Sequence, residues 1–429
     1  MLKIEKFDVS PRLRLTCART DKFKTGCLSV NLITELTREN AAKNALLPRV
    51  LRRGTAVHPD MESLAVITDE LYGARIEPTV RKKGELQCVG FFADFIDDDY
   101  LPNGESILER VTALVGEMLL TPKTHGGQLT SEYVDSERRN LIDEIRAGIN
   151  EKRSYALDAL LRNMCSEEAF GVNKLGGERE AKAITAHALT VHYKKLLDTA
   201  RVEVFYCGNA EPGRVKSAVA DALAGLPRTA APETAGTQIL LAPPAPETRK
   251  FTEKLDVTQG KLAIGLRLGK TMLAPNYAAL AVFNAAFGGS VTSKLFLNVR
   301  EKLSLCYYAS SMIEKHKGVL IVSSGVEFAN FDRAYNEILA QLDAIKSGDV
   351  SDWEFLSAKR AVMTERLAAL DRPGGLEEAC FDQMIAGITY TPEEFASLAE
   401  AVTREEIIAV ANSAVLDSAY FMEGKTNEE

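Results

Sequence analysis

Leu28, Val30 and Leu32 alternate with smaller or polar neighbours, and Leu262, Ile264, Leu266 and Leu268 do the same later in the chain. A period of two predicts a strand with one buried face. Each strand is followed by a segment of helical period, over 41–53 and 276–287. A second strand is expected at 84–95 and again at 318–327. A longer amphipathic helix comes next, marked by Ile107, Val111, Leu114, Val115 and Met118, then by Ile338, Leu339, Leu342 and Ile345. Further helices close each unit. This grammar predicts an α+β fold of two halves, each a β-sheet covered by helices in α/β layers.

The matching order reflects an internal duplication. Thr25–Leu32 falls on Gln259–Leu266 at an offset of 234, and so do Asn44–Leu47 on Ala278–Ala281, Gly54 on Gly288, and Gly84–Gly90 on Gly318–Ser324. The offset is 221 where Ser136–Glu144 meets Ser357–Glu365, so the second half is 13 residues shorter in between. The expected organisation is a first domain over 1–226, a connector over 227–250 and a second domain over 251–429. Pro227, Pro232, Pro243, Pro244 and Pro246 stand among many alanines in the connector, a composition suited to a poorly packed link. Two similar domains across a hinge favour a cleft where they meet.

Composition narrows the function. The 429 residues are 46% hydrophobic and 26% charged, enough for more than one core without disulfides. A net charge of −8 provides no overall basic footprint for nucleic acid or an anionic membrane, and neither partner is expected. The basic clusters at Arg49–Arg53 and Arg81–Lys83 read as solvated surface or salt bridges. Cys17, Cys27, Cys88, Cys165, Cys207, Cys306 and Cys380 are widely spaced with no CxxC, which fits small core residues in a reducing, cytoplasmic setting. The N-terminus shows no apolar signal region, and no stretch is long enough for a transmembrane helix. His58, His125, His187, His192 and His316 offer no pair at useful ligand spacing. The glycine pairs form neither GxGxxG nor a Walker pattern, so no nucleotide site is expected.

The second half contains Phe287–Phe296, with a glycine pair and Ser-x-Leu-Phe, then Arg300-Glu301 and a tyrosine, Tyr307, seven residues after the arginine. This resembles the second-half signature of the insulinase/pitrilysin (M16) metallopeptidases, and the duplicated layout extends the resemblance over nearly the whole chain. It implies two homologous halves forming a clamshell around a peptide-sized chamber. The family carries His-x-x-Glu-His on a helix ahead of Gly-Thr, and the histidines at i and i+4 grip zinc while the glutamate polarises water. Counting back from Gly54-Thr55, the ligand and base positions hold Ala45, Pro48 and Arg49. Glu137 and Glu144 keep the spacing of the family's downstream glutamates, the later of which is its third zinc ligand. They are either remnants, with Glu144 paired to Arg49, or ordinary exposed helix carboxylates.

By the same resemblance, Arg300 and Tyr307 match the pair that holds substrate backbone and stabilises the oxyanion. Their other reading is packing at a strand–helix corner. Ser304 departs from a usual glycine, which puts the family's loop geometry before Tyr307 in doubt. The resemblance then implies a subunit with no metal of its own. It would work with a separate zinc-bearing M16 subunit on a peptide substrate, the zinc residing in that partner. A non-catalytic peptide-binding or structural protein is the alternative, a homodimer of the isolated chain is a further option, and an autonomous zinc peptidase lacks the ligands it needs.

Overall fold

The computed structural model describes residues 2–233 and 236–425. They group into two compact units, one of 1–146, 172–236 and 370–387, the other of 147–171, 237–369 and 388–429.

The first unit is built on a six-stranded sheet. Its strands are β1 (Lys3–Ser10), β2 (Leu13–Arg19), β3 (Thr25–Glu35), β4 (Arg75–Lys83), β5 (Leu86–Ile96) and β6 (Arg201–Gly208), in the order β1-β2-β6-β3-β5-β4. β2 and β6 run parallel, and the other pairs are antiparallel. Leu28, Val30 and Leu32 face a large core shared with the helices Ala41–Leu51 and Leu108–Leu120, as their alternation predicts. The opposite face of β3 departs from expectation, because Cys27, Ser29, Asn31 and Ile33 are buried too. The helix Pro373–Ala386, from the far end of the chain, covers it. Phe381, Cys380 and Met384 pack on Cys27, Phe205 and Cys207. Several polar groups under this helix find partners across it. The Ser29 hydroxyl donates to Glu377 at 2.7 Å, and Arg81 reaches the same carboxylate at 2.8 Å. Lys83 binds Asp382 at 2.8 Å.

The second unit repeats the plan with β7 (Arg249–Leu255), β8 (Gly260–Arg267), β9 (Cys306–Glu314), β10 (Val319–Val326) and β11 (Val415–Gly424), ordered β9-β10-β8-β11-β7. The face carrying Ala263 is covered by the helix Lys152–Met164, which belongs to the first half of the sequence. The Met164 side chain packs directly on Gly265, where a Cβ would come within 2.4 Å of its sulfur. Lys152 and Pro373, where the two covering helices start, are separated by the same 221 residues as the later part of the repeat. Equivalent helices of the two halves are therefore exchanged, and the compact units do not follow the linear division at the connector.

Buried charges lock the exchanged segment in the second unit. Glu168 accepts from Arg267 at 2.6 Å and lies 2.6 Å from Lys317 Nζ, while Asp417 is held by Arg267 at 2.6 Å and by Arg249 at 2.5 Å. Burial works against ionisation of Glu168, but the bonds from Arg267 and Lys317 outweigh it and hold the carboxyl below its ordinary range.

The connector forms neither helix nor strand among its described residues up to 248. Its first part is tied to the first unit, where buried Arg12 donates to the Thr229 carbonyl at 2.8 Å.

Candidate functional site

The helix Ala41–Leu51 forms as its apolar spacing predicts, and nearly all of it is buried. Ala45 and Pro48 lie within the packed interior, whereas Arg49 is only partly covered. Proline inside a helix removes one N–H, and the helix runs on for three residues before ending. The helix Ser131–Ala147 presents Glu137 and Glu144 from the same face, since seven residues span nearly two turns.

Two ion pairs join these segments. Arg49 Nη1 lies 2.6 Å from Glu144 Oε2. Arg53 Nη1 donates to Glu137 Oε1 at 3.1 Å, and its guanidinium stands 5.5 Å from the Tyr133 ring centre. Arginines four apart on one segment thus meet glutamates seven apart on the other. A cavity of about 390 Å³ opens beside them, lined by Arg49, Arg52, Arg53, Glu137, Glu144 and Lys174 among others.

These residues do not fit a zinc ion. Alanine and proline supply no ligand, and the carboxylate of Glu144 already faces a permanent cation. Among the described residues no group of three or more His, Cys, Asp or Glu is arranged to hold a metal. The histidines take other roles. His58 Nδ1 lies 3.0 Å from Glu117. His192 is buried with Nε2 2.6 Å from Asn44 Oδ1, and Asn44 in turn donates to Gln87 at 2.8 Å. Burial, then the charges of Lys43 and Lys195, push the His192 pKa down to about 4, so the ring is neutral. This bridge to the helix Ala41–Leu51 was not visible in the sequence, because its members are separated by up to 148 residues.

Arg300 and Tyr307 lie in the second unit, on backbone of unusual form. The helix Tyr277–Asn284 passes into a π-helical turn over Ala285–Gly289, and Arg300 rides on a second π-helical segment, Leu295–Lys302. Such wide turns recur at functional sites. Within this stretch, a Cβ at Gly288 would meet the Ser311 backbone nitrogen at 2.7 Å, which explains why the motif needs glycine there. Ser304 has φ of +50°. The left-handed backbone that glycine would favour is thus present with serine. Tyr307 falls at a register break between β9 and β10, where Cys306 pairs with Val326 and Tyr308 with Gly325. It is the extra residue of a bulge, and bulges re-aim side chains.

The consequence is exposure. Tyr307 is 60% exposed, although it lies in a strand. Its hydroxyl is 3.4 Å from Glu327. Arg300 is also accessible, 3.5 Å from Glu301 and with its guanidinium 4.7 Å from the Phe296 ring centre. Tyr308 is the packed member, with the Arg153 guanidinium 4.4 Å from its ring centre. Arg153 also donates to Ser310 at 2.9 Å. The sequence did not mark Arg52, Arg53, Arg153 or Lys174 as site residues. The spacing of Arg49 and Arg53 against Glu137 and Glu144 was the signal available for Arg53.

Residues 183–362 match the family model described as the peptidase M16 inactive domain. A protein of Bacillus subtilis named probable inactive metalloprotease YmfF is 34% identical over 406 residues, 95% of this chain and 94% of that protein. A conserved protein from Enterococcus faecalis V583 has a crystal structure similar at a TM-score of 0.89 and 28% identity, covering 99% of this chain and all of that one. The crystal structure of a peptidase M16 inactive domain from Pseudomonas fluorescens shares the fold at a TM-score of 0.79 and 16% identity, over 99% of both chains.

Proposed function

Given that this chain belongs to the M16 peptidase family, we propose that it is the zinc-free subunit of a two-chain peptidase. It binds peptide and donates Arg300 and Tyr307 to hydrolysis at the zinc of a separate family member. A guanidinium is a permanent multi-donor cation, and a phenol donates one short bond to developing negative charge. The observation that carries the reading is the exposure of Tyr307 on its bulge, after a π-helical segment and a left-handed Ser304. A packing residue needs none of these irregularities. Within this chain no step is routed through zinc, because Ala45 and Arg49 stand at the two imidazole positions and Glu144 is paired with Arg49.

The test is reconstitution with a zinc-bearing M16 protein from the same cell and a peptide substrate. Tyr307→Phe and Arg300→Ala are expected to lower kcat by about 10²- to 10³-fold while assembly persists, the range for losing one oxyanion donor. Unchanged turnover in an intact complex would overturn shared catalysis. It would favour the second reading, a non-catalytic peptide-binding shell, which the Arg49–Glu144 pair at the old metal position supports.

A further inference from the structure

We infer that the cavity beside the degenerate motif is a carboxylate-binding site, and that it takes an acidic side chain of a peptide. The inference does not depend on shared catalysis, because it concerns this chain alone.

The lining carries Arg49, Arg52, Arg53 and Lys174 against Glu137 and Glu144, four cations to two anions. Arg52 is engaged elsewhere, donating to the Ile76 carbonyl at 2.8 Å and to Glu77 at 2.9 Å. Lys174, an exposed residue on the cavity lining, has no ion-pair partner among the described residues and adds to the positive charge around the cavity. Arg49 Nη1 lies 2.6 Å from Glu144, and a guanidinium has five N–H donors in a planar fork matched to a carboxylate. Arg53 likewise binds Glu137 through Nη1. The protein's own glutamates show what this wall accepts. Two carboxylates already sit on it at 2.6 and 3.1 Å, and donors remain for a third. The volume, about 390 Å³, suits a side chain with its adjoining backbone. Pro78 and Val80 supply apolar wall beside these charges. Among carboxylates, a peptide side chain is favoured over a free small acid because the cavity is larger than one carboxylate needs.

The experiment is calorimetric titration of the full chain with a short peptide, acetylated and amidated at its ends, bearing central glutamates. The glutamine version is the control. The glutamate peptide is expected to bind about tenfold more tightly, and the preference should shrink as salt rises. Lys174→Ala should weaken binding. Glu144→Gln should strengthen it, because the Arg49 fork is released from its internal partner. A structural role for that pair would not produce tighter binding. Circular dichroism of each variant checks the fold. Equal affinity for both peptides, or no gain in Glu144→Gln, overturns the proposal. A free-acid terminus binding better than the internal glutamates, or inorganic phosphate binding where the peptide does not, overturns the side-chain assignment. Because no partner is present, failure here leaves the test of Tyr307 untouched.

Discussion

Arg49 and Glu144 face each other at 2.6 Å, one on the helix Ala41–Leu51 and the other on the helix Ser131–Ala147. The contact is an ion pair within a single unit. About half of the Glu144 side chain is exposed, so solvent screens the pair. Arg49→Ala should therefore cost about 1 kcal/mol or less and lower Tm by only a few degrees, as read by thermal unfolding. A collapse of Tm would mean that the pair holds the unit together.

The Glu168 network should behave differently. Arg267, Lys317 and Glu168 are all nearly fully buried, so removing one partner leaves uncompensated charge. Glu168→Gln is expected to cost about 3 kcal/mol or more in urea unfolding. Since the native carboxyl titrates below its unfolded value, its contribution is present above about pH 4.5 and fades as acid protonates the native group.

Two groups set opposite pH slopes. Burial raises the Glu203 pKa to about 7, against smaller lowering effects of Arg201, Arg14 and Lys6. Stability from its neutral form is complete below about pH 4.5 and is lost as pH rises through 7. Glu203→Gln should match the parent at pH 4 and exceed it at pH 8, by up to about 3 kcal/mol. His192, pushed down to about 4, contributes the reverse slope, with stability present above about pH 6.5 and lost as pH falls toward 4. Urea midpoints for Glu203→Gln and His192→Gln across this range would separate the two, and parallel curves for parent and variants would refute both assignments.

Ser304 pays a conformational cost at φ +50°. An L-residue in this region loses about 1–2 kcal/mol, part of which glycine gives back through its looser unfolded chain. Ser304→Gly should raise stability by about 1 kcal/mol or less and leave Tyr307 placed as before, checked by Tm together with turnover of the reconstituted complex. A large stability loss would show that the serine side chain is itself needed.

Much of the fold was legible because periodicity is local. Leu28, Val30 and Leu32 announced a strand, and the 221-residue offset reappears in the 17-residue helices Ser131–Ala147 and Asp352–Ala368. The shared face of Glu137 and Glu144 could also be read directly, because helical pitch converts a spacing of seven into nearly two turns.

The chain alone determined which groups are available: a duplicated sheet-and-helix plan, carboxylates seven apart, an arginine and a tyrosine at set spacing. Only tertiary structure decided that Ser29 and Asn31 are buried, since the helix that covers them begins more than 300 residues later. It also decided that Arg53 would join Glu137 beside Arg49 and Glu144, and that a bulge would turn Tyr307 outward. The physical reason is range. Backbone preferences act over a few residues, whereas burial and charge pairing depend on whichever distant surface the folded chain brings close.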